Sequence, residues 1–177
     1  KTPRDATKAG LAYVSEDRKG NGLVLIQDIK YNISLSNLSE LTEKLSINEN
    51  EEINVANDYK SSINIKAPSI AQKVVNLSGG NQQKVVVARW LIKDADIFIF
   101  DEPTRGIDIG AKSEMYELIE ELTSNGKSVI VVSSELSEIQ RLSDRVIVMC
   151  EGKITAELNI NEVTQEEIMK YATKREI

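Results

Sequence analysis

Leu77-Ser78-Gly79-Gly80-Asn81-Gln82-Gln83-Lys84, followed after one short amphipathic stretch by Ile97-Phe98-Ile99-Phe100-Asp101-Glu102-Pro103, decides how this chain is read. A serine and two glycines opening a helix form a nest of backbone N–H groups, and such a nest suits a phosphate. The glycines let backbone approach an anion with no Cβ in the way, and the helix adds the positive end of its dipole. A greasy strand that ends in two carboxylates suits a hydrated metal and an activated water. In this order and spacing, the two stretches point to nucleotide hydrolysis.

Outward from that pair the pattern has three zones. Leu11-Ala12-Tyr13-Val14 reads as a short strand, ended by Ser15-Glu16-Asp17-Arg18-Lys19 and a loop at Gly20 and Gly22. From about Ile29 to Ile92 the periodicity is helical. Asn48 with Glu51 predicts a capping box, and Ile53, Ala56, Tyr59 and Ile63 predict that helix's buried stripe. The acidic run Glu49 to Glu52 reads as a solvated helix start. A second helix follows Gly80, with Val85, Ala88 and Ile92 on one face. This middle zone reads as an all-helical insert.

After Asp94 strands alternate with helices, which implies an α/β layer with a parallel sheet. Ile97–Phe100, apolar on both faces, reads as a central parallel strand. Met115, Leu118, Ile119 and Leu122 make one helical face, stopped at Asn125-Gly126. Ser128–Val132 is another apolar strand, and Leu136, Ile139 and Leu142 a short helix. Two strands, Val146–Met149 and Lys153–Leu158, flank a turn at Glu151-Gly152. Thr164 and Glu167 form a capping box for a last helix to about Ala172, and Lys170–Ile177 reads as its frayed end.

Composition narrows the function. At 177 residues the chain holds one domain with a real core. A net charge of −6 argues against a nucleic-acid surface. No apolar run approaches the roughly 18 residues needed to span a bilayer, so a soluble chain is expected, with any membrane role passing through a partner. The single Cys150 excludes an internal disulfide and reads as a small hydrophobe at a strand end. The absence of histidine excludes triads, imidazole zinc sites and histidine general bases.

Asp101 and Glu102 follow a buried strand directly, and in open α/β sheets the ligand crevice lies outside the carboxyl ends of the strands. Asp101 is placed to hold Mg²⁺, through water, and Glu102 to accept a proton from an attacking water. With these residues quoted, the chain resembles the C-terminal part of an ABC-transporter ATPase domain. More narrowly, it resembles the second ATPase half of the tandem subunits that energise bacterial import of ribose, xylose or galactose. The matching stretches are Ser15–Lys19, Leu77–Lys84, Asp101–Lys112 and Val132-Ser133-Ser134-Glu135-Leu136.

The resemblance implies a P-loop NTPase-like fold with a mostly parallel sheet and an all-helical subdomain, lacking the N-terminal part that carries the phosphate loop. It implies partial core with the Q-loop region over 1–28, helical subdomain over 29–93, and core with Walker B, D-loop and switch over 94–177. Leu77, Ser78, Gly79, Gly80 and Asn81 match the signature motif, which in the family contacts the γ-phosphate of ATP held by the opposite ATPase unit. Asn81 stands where glutamine is commonest. Asp101 matches the aspartate for Mg²⁺, Glu102 the catalytic base, and Gly106 and Asp108 the D-loop at the dimer interface. ATP and Mg²⁺ are the implied cofactors. Permease subunits, and through them a sugar-binding protein, are the implied partners. The implied location is the cytoplasmic side of the cell membrane, peripheral to the permease. The helix bearing Trp90 reads as core packing rather than a permease surface.

Two positions depart from the family pattern. Glu16 stands at the Q-loop glutamine, where it could reach metal or nucleotide, and Ser134 stands at the catalytic switch histidine. A carboxylate cannot donate as an amide does, and a serine has neither the charge nor the reach of imidazole. Both fall on the site that uses Asp101 and Glu102, so this half's own site is expected to hydrolyse poorly. The only Gly-Lys-Ser, Gly126-Lys127-Ser128, lies between a helix and a strand, the reverse of a P-loop. The chain therefore reads as truncated, inactive by itself, a weak binder of ATP, and prone to self-association through exposed strand surface. A non-transport ABC ATPase and a binding module without turnover are the competing readings.

Overall fold

The computed structural model describes residues 2–38, 41–43 and 46–174. These form two compact units, residues 1–132 and 133–177, taken separately below. The last residues of the expected frayed end, 175–177, lie outside the described residues.

The first unit opens with helix α1 (Pro3–Lys8), capped by Thr2 and Asp5 in a reciprocal box, and strand β1 (Leu11–Val14). Helix α2 (Ile29–Ser34), short strands β2 (Thr42–Glu43) and β3 (Ser46–Ile47), and helix α3 (Glu49–Ser62) follow. Helix α4 (Gly79–Leu91) leads to β4 (Ile97–Asp101), α5 (Ile109–Ser124) and β5 (Ser128–Val132). β1, β4 and β5 form a parallel sheet with β4 in the centre, as its two-sided apolar sequence predicts. The register pairs Tyr13 with Ile99 and Ile99 with Ile130.

Alternation then sorts the sheet's two faces. Ala12, Val14, Phe98 and Phe100 are fully buried, and α4 packs on β1 while α5 packs on β5. Met115, Leu118, Ile119 and Leu122 are the buried residues of α5, the face expected from their spacing. On the opposite face Tyr13, Ile130 and Val132 stay 48%, 53% and 50% exposed, so that face is apolar and open.

Helix α3 departs from the predicted stripe. Ala56 and Ile63 are buried, but Ile53 is exposed and its place in the interior is taken by Glu52. The cause is charge pairing: Glu52 forms an ion pair with Lys30 of α2 and accepts a 2.6 Å bond from the Ser34 hydroxyl. A buried carboxylate with two partners takes the inward place from an isoleucine one position on, because its charge is matched there by the partly buried Lys30 and by Ser34. The acidic run is thus solvated at Glu49 and Glu51 and structural at Glu52. Asn48 caps α3 by accepting from the Glu51 amide, one half of the expected box, while its own N–H donates to the Leu41 carbonyl at 2.8 Å. The helical middle zone also carries the antiparallel β2–β3 ladder.

The second unit has helix α6 (Leu136–Leu142), an antiparallel hairpin of β6 (Arg145–Cys150) and β7 (Lys153–Asn159), and helix α7 (Gln165–Ala172). Glu151 and Gly152 turn the hairpin with φ of 47° and 79°. Val146, Val148 and Ile168 form its core, with Leu136, Ile139 and Tyr171 packed around them. Thr164 and Glu167 make the expected capping box. Cys150 is a free, half-buried thiol at the end of β6.

Candidate functional site

Asp101 closes the central strand, and Tyr13, on the same face of the neighbouring strand, donates its hydroxyl to Asp101 Oδ2 at 2.6 Å. That bond, with some burial, lifts the Tyr13 phenol above its ordinary value. Asp101 is half-buried, and no group of three potential metal-binding side chains occurs among the described residues. One carboxylate at a sheet edge, with an open side, fits Mg²⁺ held through water and substrate phosphates rather than a protein cage.

Glu102 leaves the strand with φ of +47°, a left-handed conformation that costs a non-glycine residue about 1–3 kcal/mol. Its N–H donates to the Val132 carbonyl at 2.8 Å, so the neighbouring strand holds the turn. Thr104 is buried, and the chain turns through Gly106 to Asp108, which caps α5 by accepting from the Ala111 amide at 3.0 Å.

Two residues from beyond the end of β1 grip this loop. Glu16 forms an ion pair with Arg105. Arg18 donates to the carbonyls of Arg105 and Gly106 at 2.8 and 3.3 Å. Burial holds the Arg18 guanidinium below its usual value, and its Nε is buried with no hydrogen-bond partner among the described residues.

The loop lies directly on the start of α4. Ser78 is the N-cap and is exposed; Gly79 and Gly80 are the first helical residues. A Cβ on Gly79 would meet Arg18 Nη2 at 3.0 Å and the Gly106 carbonyl at 3.1 Å. A Cβ on Gly80 would stand 2.4 Å from Ala111 Cβ. Gly79 therefore serves close packing of α4 on Arg18 and the Gly106 turn, and Gly80 close packing of α4 on α5. Leu77 is buried beneath the motif. Asn81 donates from Nδ2 to Ser78 Oγ at 2.9 Å and accepts from the Lys66 N–H at 2.7 Å. Below it, Glu114 of α5 bridges Lys66 and the buried Lys84, each at 2.8 Å. Lys84 also donates to the Asn64 carbonyl at 3.0 Å.

One loop thus gathers most of the residues singled out in the sequence. Asp101 and Glu102 begin it, Glu16 is tied to its middle, Asp108 ends it, and Gly79 backs it. Ser134 is exposed and belongs to the second unit. Sequence reasoning missed Tyr13, Arg18, Lys66 and Glu114. Arg18 stood inside the quoted Ser15–Lys19 stretch, and Tyr13 shares the strand face of Asp101. Lys66 and Glu114 carry no spacing signal, because only the tertiary packing of α4 on α5 joins them. Gly126-Lys127-Ser128 joins α5 to β5, and Lys127 pairs with Asp94 at 2.7 Å, as a helix stop and not a phosphate loop.

The sequence matches the family described as ABC transporter over residues 4–105, and the chain belongs to that family. The L-arabinose transport ATP-binding protein AraG of Geobacillus stearothermophilus is 50% identical over 176 residues, 98% of this chain and 34% of its own length. The xylose import ATP-binding protein XylG of Thermoanaerobacter pseudethanolicus is 53% identical over 172 residues, 97% of this chain and 34% of its own. The chain spans about a third of the length of the curated relatives it matches. A solved ATP-binding cassette of an ABC transporter superposes with a TM-score of 0.79 at 19% identity, covering 98% of this chain and 72% of that one. The fold is therefore the P-loop NTPase-like α/β fold of ATP-binding cassettes, with a mostly parallel sheet.

Proposed function

We propose that this chain acts within an ATP-hydrolysing subunit that drives sugar import through a membrane permease, on the cytoplasmic face of the membrane. The observation that carries the reading is the exposed Ser78 at the N-terminus of α4, with Gly79 packed on the loop that begins at Asp101 and Glu102. Relatives 50% and 53% identical, named for arabinose transport and xylose import, support the substrate class. No described helix is long and apolar enough to cross a membrane, which suits a subunit attached through a permease.

In this reading Ser78, Gly79, Gly80 and Asn81, above the buried Leu77, form a clamp for the γ-phosphate of ATP held by the other ATPase half. Asp108 presents the loop at that interface. Asp101, with one oxygen bonded by Tyr13, would hold Mg²⁺ through water, and Glu102 would accept the proton of the attacking water. Bound Mg²⁺ supplies neutralisation of the phosphate charge.

The site built on Asp101 and Glu102 turns over slowly. Glu16 is drawn to Arg105 and Ser134 offers only a hydroxyl, so neither replaces the amide and imidazole of the general pattern. The clamp then serves chiefly the other half's nucleotide. Glu102→Gln in the full-length subunit is expected to leave transport measurable; its complete loss would contradict this division of labour. The 177-residue chain alone is expected to bind ATP weakly, and calorimetric titration with micromolar affinity would refute that.

A further inference from the structure

We propose that Asn81 is a positioning residue that fixes the Ser78 hydroxyl as an outward-pointing donor. The proposal rests on the phosphate-clamp reading above. The Asn81 amide has one possible orientation, because the Lys66 backbone N–H can only donate. The atom 2.7 Å from it must be Oδ1, so Nδ2 faces Ser78. Ser78 Oγ then receives two donors, Asn81 Nδ2 at 2.9 Å and the Asn81 backbone N–H at 3.5 Å. A hydroxyl has two lone pairs and one hydrogen. With both lone pairs directed at Asn81, the hydrogen is turned away from the protein. Among the described residues no acceptor takes it, and Ser78 is exposed.

The arrangement is braced from below. Lys66 is held through its ammonium by Glu114, Glu114 also binds Lys84, and Lys84 reaches the Asn64 carbonyl. Residues 64–66 are thereby pinned to α4 and α5, which keeps the Lys66 amide aimed at Asn81. The rotor is set before any anion arrives, so no orientational freedom is lost on binding.

The test is a double-mutant cycle in the full-length subunit, reading affinity for a non-hydrolysable ATP analogue with Mg²⁺ and for MgADP. A hydrogen bond to a charged group is worth roughly 1.5–3 kcal/mol, about tenfold or more in affinity. Ser78→Ala is expected to weaken the analogue by about that factor, and Asn81→Ala by somewhat less. The double variant should bind no worse than Ser78→Ala alone, because the asparagine acts through the serine. MgADP, lacking the γ-phosphate, should move by less than about twofold in all three variants. Independent, multiplying losses would overturn the proposal, as would an unchanged Asn81→Ala. Equal loss of ADP and analogue binding would also overturn it, by marking a folding defect. An unchanged Ser78→Ala would instead overturn the clamp reading itself.

Discussion

Replacing Gly80 with alanine adds a methyl 2.4 Å from Ala111 Cβ, where two carbons ordinarily approach to about 3.5–4.0 Å. The first turns of α4 and α5 must then part by about 1 Å or more. Nothing gives way easily behind α4, because Val85, Val86, Val87 and Ala88 are fully or almost fully buried. Overpacking of this kind costs about 1–3 kcal/mol, against a helix-propensity gain of at most ~1 kcal/mol. The expected net loss is about 1–2 kcal/mol. Ala111→Gly removes the opposing methyl and alone costs roughly 0.5–1 kcal/mol. Combined, the two substitutions should be less damaging than their sum by about 1–2 kcal/mol. Urea unfolding of the four chains, followed by far-ultraviolet circular dichroism, measures this coupling. Additivity within about 0.5 kcal/mol would refute the reasoning that the glycine exists for the helix contact.

Three further outcomes are expected. Glu52 is pushed up by burial but pulled further down by Lys30 and Ser34, and Glu114 is held down by Lys66 and then Lys84, so both sit below the usual 4.5 when folded. Their stabilisation is complete above that value and is lost as pH falls through the lower folded values. Glu52→Gln with Glu114→Gln should therefore flatten the fall of the urea midpoint between about pH 5 and 3. Arg18→Met removes the donor to the exposed Arg105 and Gly106 carbonyls and should cost roughly 0.5–1.5 kcal/mol in the same unfolding assay. Ile130→Thr with Val132→Thr, on the exposed sheet face, should reduce self-association seen by light scattering, with unchanged secondary structure.

Elements whose reason is local were legible in the sequence. β1, β4 and β5, the buried face of α5, the β6–β7 hairpin and the capping box of α7 all follow from alternation, helical spacing or a cap. The residues proposed for the site stood out in the sequence because phosphate and metal chemistry restrict which side chains serve. What escaped depends on partners far along the chain. Ile53 and Glu52 are adjacent, and only Lys30, on another helix, decides which of them faces inward. Tyr13 and Asp101 lie 88 positions apart, and their bond exists because two parallel strands share a register. Arg18 reads as one charge in a polar run until the Arg105–Gly106 turn arrives to accept its hydrogens.

The left-handed backbone at Glu102 has a mechanical meaning. Its amide hangs on the carbonyl of Val132, the last residue before the second unit begins in the chain. The backbone at Glu102 is thus held in part by the end of an adjacent strand. A displacement of that strand end would carry the left-handed turn at Glu102 with it.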